Sequence, residues 1–129
     1  MLYGSECWPI TKAQANRVEV AELRMLRWTC GKTLRDMIPN GVFRAELEVE
    51  NIISKMREGR LRWFGHVRRR LQSVPVRRIE ALVVDGVRRR GRPKLRWEDR
   101  LKLDMKELLL SEDMISDRKA WRDRIRIGR

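Results

Sequence analysis

Trp97-Glu98-Asp99-Arg100-Leu101-Lys102-Leu103-Asp104-Met105-Lys106-Glu107-Leu108 is the stretch that decides the fold class: Trp97, Leu101, Met105 and Leu108 recur at i, i+4, i+8 and i+11. That period puts all four on one face of a helix. Pro93 suits the first position of such a helix, where its fixed φ fits and its missing N–H is not needed. Downstream, Ser111 is placed to cap a final helix with Glu112 and Asp113 in its first turn and Met114, Trp121 and Ile125 on its inner face. The segment from Arg122 to Arg129 is basic.

Upstream the same period recurs. From Thr11, a suitable N-cap, a helix is predicted to about Cys30 and to stop at Gly31. It carries Val18, Ala21, Met25 and Trp28 on one stripe and Leu23, Leu26 and Cys30 on another, which predicts cover on two sides. Asn40 can cap a short helix through Leu47. Asn51 or a neighbour can start a longer one to about Val67, with Ile52, Met56, Trp63 and Val67 on one face and Ile53, Leu61 and Phe64 nearby. Gly59 and Gly65 interrupt this helix pattern, which points to close packing or a bend. Pro75 can open a short helix carrying Val76, Ile79 and Leu82, and Asp85-Gly86 marks a turn. Met1 to Ile10 reads as an apolar stub ended by Pro9, as if cut from something longer.

With no strand-like alternation of useful length, the expected class is all-α: a small irregular bundle of about four to five helices with a mobile basic linker. The expected division is residues 1–68, a basic linker over 69–93, and a C-terminal helical pair over 94–129.

Charge is the second signal. The chain has 129 residues and a net charge of +13, and Arg57 to Arg100 hold 15 of its 31 Lys and Arg but 5 of its 18 Asp and Glu. Positive charge localised in this way is the footprint of nucleic-acid binding, because each neutralised phosphate releases condensed counterions. The competing interpretation is a solvated, solubilising surface. Two cysteines, Cys7 and Cys30, suggest no disulfide framework, and both are expected to pack as small apolar residues. No apolar run reaches the roughly 20 residues that cross a bilayer. The expected setting is intracellular and nuclear, with basic clusters as the address.

Catalytic constellations are sparse. His66 is the only histidine, and nothing adjacent pairs it with a nucleophile. Cys7, Cys30 and His66 are too few for a structural zinc site, and no P-loop or GxGxxG occurs. No cofactor, metal site or catalytic residue is therefore expected. Asp99, Asp104, Glu6 and Glu19 are expected to be ion-pair partners. Gly91-Arg92-Pro93 resembles the core of an AT-hook, against the plainer possibility that Gly91 turns the chain, Pro93 starts a helix and the arginines grip phosphate. Trp63 and Trp97 lie beside basic residues and could stack on unpaired bases, although their helical spacing also suits a core.

Four ordered blocks carry a resemblance: Leu2-Tyr3-Gly4-Ser5-Glu6-Cys7-Trp8, Met25-Leu26-Arg27-Trp28, Arg60-Leu61-Arg62-Trp63-Phe64-Gly65-His66-Val67 and Arg90-Gly91-Arg92-Pro93. Together with Asp117-Arg118-Lys119-Ala120-Trp121-Arg122, they resemble the C-terminal end of LINE-type (non-LTR) retrotransposon reverse transcriptases, most closely the plant versions. The resemblance implies the thumb and post-thumb region, which grips RNA template and DNA primer, with the catalytic aspartates upstream. The family's palm motif is absent here, so polymerase activity is not carried over. The rest of a reverse transcriptase body is an implied partner.

The resulting expectation is a non-catalytic fragment that binds RNA or DNA largely without sequence specificity. Its expected phosphate contacts are Arg60, Arg62, Arg68, Arg69, Arg70, Arg88, Arg89, Arg90, Arg92, Lys94 and Arg96. The alternatives are a helical protein-interaction module and a decayed retrotransposon-derived open reading frame with no selected function.

Overall fold

Thr11 starts the first long element in the computed structural model. Its hydroxyl accepts a hydrogen bond from the Gln14 backbone N–H at 3.3 Å, while the Gln14 side chain accepts from the Thr11 backbone N–H at 2.9 Å. This reciprocal cap satisfies two donors that a helix start leaves unpaired. Helix α1 then runs Lys12–Thr29. It closes at Gly31, whose φ of 65° is left-handed, with the Lys32 N–H reaching the Arg27 carbonyl and the Gly31 N–H reaching that of Trp28. Such a pair of bonds is the Schellman closure that glycine favours.

The structure describes residues 3–82, 86, 90–91 and 95–126, and among them there are six helices and no strand. After α1 come α2 (Asn40–Glu46), α3 (Ile52–Arg68), α4 (Pro75–Glu80), α5 (Trp97–Glu107) and α6 (Arg118–Arg126), with short 3₁₀ turns at Ser5–Cys7, Leu34–Asp36 and Glu112–Ser116. The protein is all-α. None of its described helices is long and apolar enough to cross a membrane.

Several boundaries differ from expectation for identifiable reasons. Asn40 is the first residue inside α2 rather than its cap, because its side-chain oxygen accepts from the Arg27 guanidinium at 2.5 Å. Helix α5 starts at Trp97, with Asp99 accepting from the Arg96 backbone N–H, so Leu95 and Arg96 precede it. The expected start at Pro93 falls outside the described residues, as does Asp85 of the expected turn. The single helix expected from Ser111 is divided into a 3₁₀ turn and α6. Asp117 accepts from the backbone N–H groups of Lys119 and Ala120 at 3.0 and 3.1 Å and restarts the helix.

Helix α3 is the spine. Its Leu61 and Phe64 pack with Leu101 of α5, Ile115, and Trp121 and Ile125 of α6, and Trp97, Met105, Leu108, Leu110 and Met114 close around them. The core is therefore built jointly by residues from the segments 1–68 and 94–129. A smaller cluster of Ile10, Ile52 and Met56 holds α1 through Ala15 and Val18. The N-terminal stub joins the same body: Ser5 is buried, and the Trp97 indole N–H donates to the Glu6 carbonyl at 2.8 Å. Helix α1 is covered on one side only, since Met25 is half exposed and Trp28 is 84% exposed.

Two contacts on α3 bear most of the specificity. Gly65 is buried against Trp121, whose indole N–H donates to the Leu61 carbonyl at 3.1 Å; a Cβ at Gly65 would lie 2.6 Å from Trp121 Nε1. Close packing, rather than a bend, explains this glycine, and α3 is continuous through it. The second contact is ionic. Asp104 of α5 is 0% exposed and pairs with Arg60 Nε at 2.7 Å and Arg100 at 3.1 Å. Removing one member of such a pair leaves the other charge buried and uncompensated.

Two stability predictions follow from these contacts. Gly65→Ala is expected to destabilise, because overpacking against a fixed indole costs about 1–3 kcal/mol while helix propensity returns only about 1 kcal/mol. At Gly59 a Cβ would meet nothing within 4 Å, so Gly59→Ala is expected to stabilise; the gain is about 0.5–1 kcal/mol. Urea unfolding of the two variants should shift in opposite directions. In the same assay Asp104→Asn is expected to lose about 3–5 kcal/mol, and Arg60→Met combined with Asp104→Leu to recover most of it. A loss under 1 kcal/mol for Asp104→Asn would show the pair to be dispensable.

Candidate nucleic-acid interface

Gly59, Arg62, Trp63 and His66 of α3, with Arg69 at its C-terminal cap, follow one another at intervals of three or four residues or as neighbours, and so share a side of the helix. On α6, Arg118, Arg122 and Arg126 are spaced four apart and form one row beside the buried Trp121 and Ile125. Seating Trp121 against Gly65 brings the two rows face to face. They line a groove of about 680 Å³, with Glu6 the one carboxylate among the described residues of its wall.

The groove is electrostatically unbalanced. Arg62 is ion-paired with Glu58, and Arg126 lies 3.8 Å from the same carboxylate. No ion pair with a described carboxylate is made by Arg69, Arg118 or Arg122, although one nitrogen of Arg69 donates to the Ile115 carbonyl at 3.1 Å. Partial burial, then the like charges of Arg118 and Arg122, lowers the Arg69 pKa below its ordinary value. An anion entering the groove would relieve that repulsion. Trp63 and His66 add an aromatic surface, their rings stacked with centroids 5.6 Å apart and an interplanar angle of 27°.

The expected phosphate contacts divide into several groups. Arg62 and Arg69 line the groove, and Arg70 is exposed beside it, 3.4 Å from His66 Nε2. Arg90 and Arg96 are also exposed. Arg60 has to be withdrawn as a phosphate contact: its side chain is 3% exposed and committed to Asp104 inside the protein. Arg68 turns away from the groove, lying over the Phe64 ring at 5.1 Å and pairing with Glu80 at 2.9 Å. Arg88, Arg89, Arg92 and Lys94 lie outside the described residues.

Arg118, Arg122 and Arg126 were missing from the expected contacts. Their four-residue spacing beside Trp121 and Ile125 was the available signal, but the denser middle third of the chain outweighed it. The expectation of ion-pair roles holds for Asp104 and for Glu19, which pairs with Arg44 at 3.1 Å. Asp99 instead caps its own helix, and Glu6 faces the groove. Of the two tryptophans, Trp97 belongs to the core and Trp63 to the groove. Neither cysteine is disulfide-bonded; Cys30 is half-buried, whereas Cys7 is exposed rather than packed away. Among the described residues no three His, Cys, Asp or Glu side chains are grouped to hold a metal ion.

The chain is similar to an uncharacterized transposon-derived protein of Caenorhabditis elegans, 27% identical over 137 aligned residues, with 94% of this chain covered. The chain spans about half of that relative, 48% of its length. No family model matches the sequence. No solved structure matches it either.

Proposed function

We propose that this chain is a non-catalytic nucleic-acid-binding unit of a retrotransposon reverse transcriptase lineage, gripping the phosphate backbone of template or primer without reading sequence. The observation that carries this reading is the groove between α3 and α6, where Arg69, Arg118 and Arg122 come together with no ion pair to a described carboxylate. A polyphosphate supplies the missing negative charge, and counterion release supplies the driving force. The similarity to a transposon-derived protein supports a transposon link, and the sequence blocks that resemble LINE-type reverse transcriptases suggest the finer lineage. The family's palm aspartates are absent from this sequence, which is why the unit is proposed to hold nucleic acid rather than extend it.

One observation favours a second reading, a docking module for another protein. Leu71, Ile79 and Leu82 are 76%, 70% and 67% exposed and lie close in sequence around α4. Under that reading an acidic polypeptide would compete effectively with RNA for the protein; under the first, nucleic acid wins clearly.

Salt titration of binding tests the proposal. If the five groove arginines all engage phosphate, log K is expected to fall against log salt with a slope near −4.5 on duplex DNA and near −3.5 on single strands. Replacing Arg69, Arg118 and Arg122 together by Gln should reduce the slope by about 2 to 3. A slope unchanged in the triple variant would place phosphate binding elsewhere on the chain.

A further inference from the structure

Gly59 is a glycine that the fold does not need. It lies in the middle of α3, where glycine weakens a helix relative to alanine, and its φ is not left-handed. Unlike Gly65, it has no neighbour that an added Cβ would meet within 4 Å. Packing therefore gives no reason for a missing side chain there, yet the residue lines the arginine groove.

What stands next to it supplies one. Trp63 stands four residues on from Gly59, one turn along the same side of α3, and both line the groove. His66, three residues later, stacks with Trp63. The absent side chain leaves the turn before Trp63 open, while Arg62, Arg69 and Arg122 line the same groove. Phosphate contact alone calls for neither an aromatic pair nor a vacant turn beside it. An unpaired base calls for both, because its flat face needs a π surface and room to lie on it. Bases in a duplex are already stacked on one another and offer no such face.

We propose that the α3–α6 groove is a single-strand site, in which an unpaired base lies over Gly59 and stacks on Trp63 while its flanking phosphates meet Arg69, Arg118 and Arg122. The inference rests on the nucleic-acid reading above and adds to it the form of the ligand.

Binding of a single-stranded oligonucleotide and of an abasic oligomer of equal length and charge, measured on the full chain at several salt concentrations, separates the two claims. The base-bearing strand is expected to bind about five- to 150-fold more tightly. Trp63→Ala should bring that ratio close to one, and Trp63→Phe should keep most of it. Gly59→Leu should also collapse the ratio while raising the Tm, an outcome that separates a blocked site from a damaged fold. Equal, salt-dependent binding of both oligomers by the unaltered chain would overturn the stacking site and leave the phosphate grip standing. So would a ratio that survives both Trp63→Ala and Gly59→Leu. No salt-dependent binding of either oligomer would remove the nucleic-acid reading and this inference with it.

Discussion

The seat of the Trp121 indole on the bare backbone at Gly65 is the constraint from which the rest of the structure follows. The indole N–H reaches the Leu61 carbonyl from a distance that only a missing Cβ permits. That approach sets how close α6 lies to α3, and so brings Ile115, Trp121 and Ile125 onto Leu61 and Phe64. The same approach places Arg118, Arg122 and Arg126 opposite Arg62 and Arg69. One steric allowance thus sets both the core and the groove, and a side chain at position 65 would disturb the two together.

The excess of arginine is handled by sorting. Some guanidiniums are committed to carboxylates of other helices: Arg60 to Asp104, Arg44 to Glu19 and Glu22, Arg68 to Glu80, Arg57 to Glu107. These pairs tie helices to one another, and of their acidic partners Glu22 and Asp104 are buried. Carboxylates committed in this way are not available at the groove; there Glu58 pairs with Arg62 and lies 3.8 Å from Arg126, while no described carboxylate pairs with Arg69, Arg118 or Arg122. A net charge of +13 would oppose compaction if it were spread evenly. The buried ion pairs leave the interior neutralised, and the groove between α3 and α6 gathers five arginines.

The task proposed for this chain is one of holding rather than transforming. Catalysis of phosphoryl transfer needs groups that activate a nucleophile or bind the metal ions that do so. The proposed groove asks only for fixed cations and a flat aromatic surface, both mounted on helices whose positions the core determines. Mounting them on α3 and α6 rather than on loops keeps the spacing between cation rows constant, which a repeating phosphate backbone can exploit.

The all-α class, the stripe of Trp97, Leu101, Met105 and Leu108, the caps at Thr11 and Asn51 and the stop at Gly31 were legible in the sequence, because each depends on residues a few positions apart. The end of α2 also fell within a residue of the expected limit at Leu47; what the sequence did not show is that α2 and α5 close through the same hydrogen-bond pattern as α1 with Glu48 and Leu109 in the left-handed position that glycine usually marks. Local charge density pointed to a cationic function and to Arg62 and Arg69. It could not show that Arg60, two residues from Arg62, turns inward, because the reason is a carboxylate 44 positions away. Nor could it bring Arg118, Arg122 and Arg126 to the site, since they reach it through the contact of Trp121 with Gly65. The sequence by itself determined the helices and the sign of the charge, which are set by neighbours along the chain. Only the tertiary structure decided which arginines are committed to buried carboxylates and which line the groove, because that choice is made by helix packing between residues far apart in sequence.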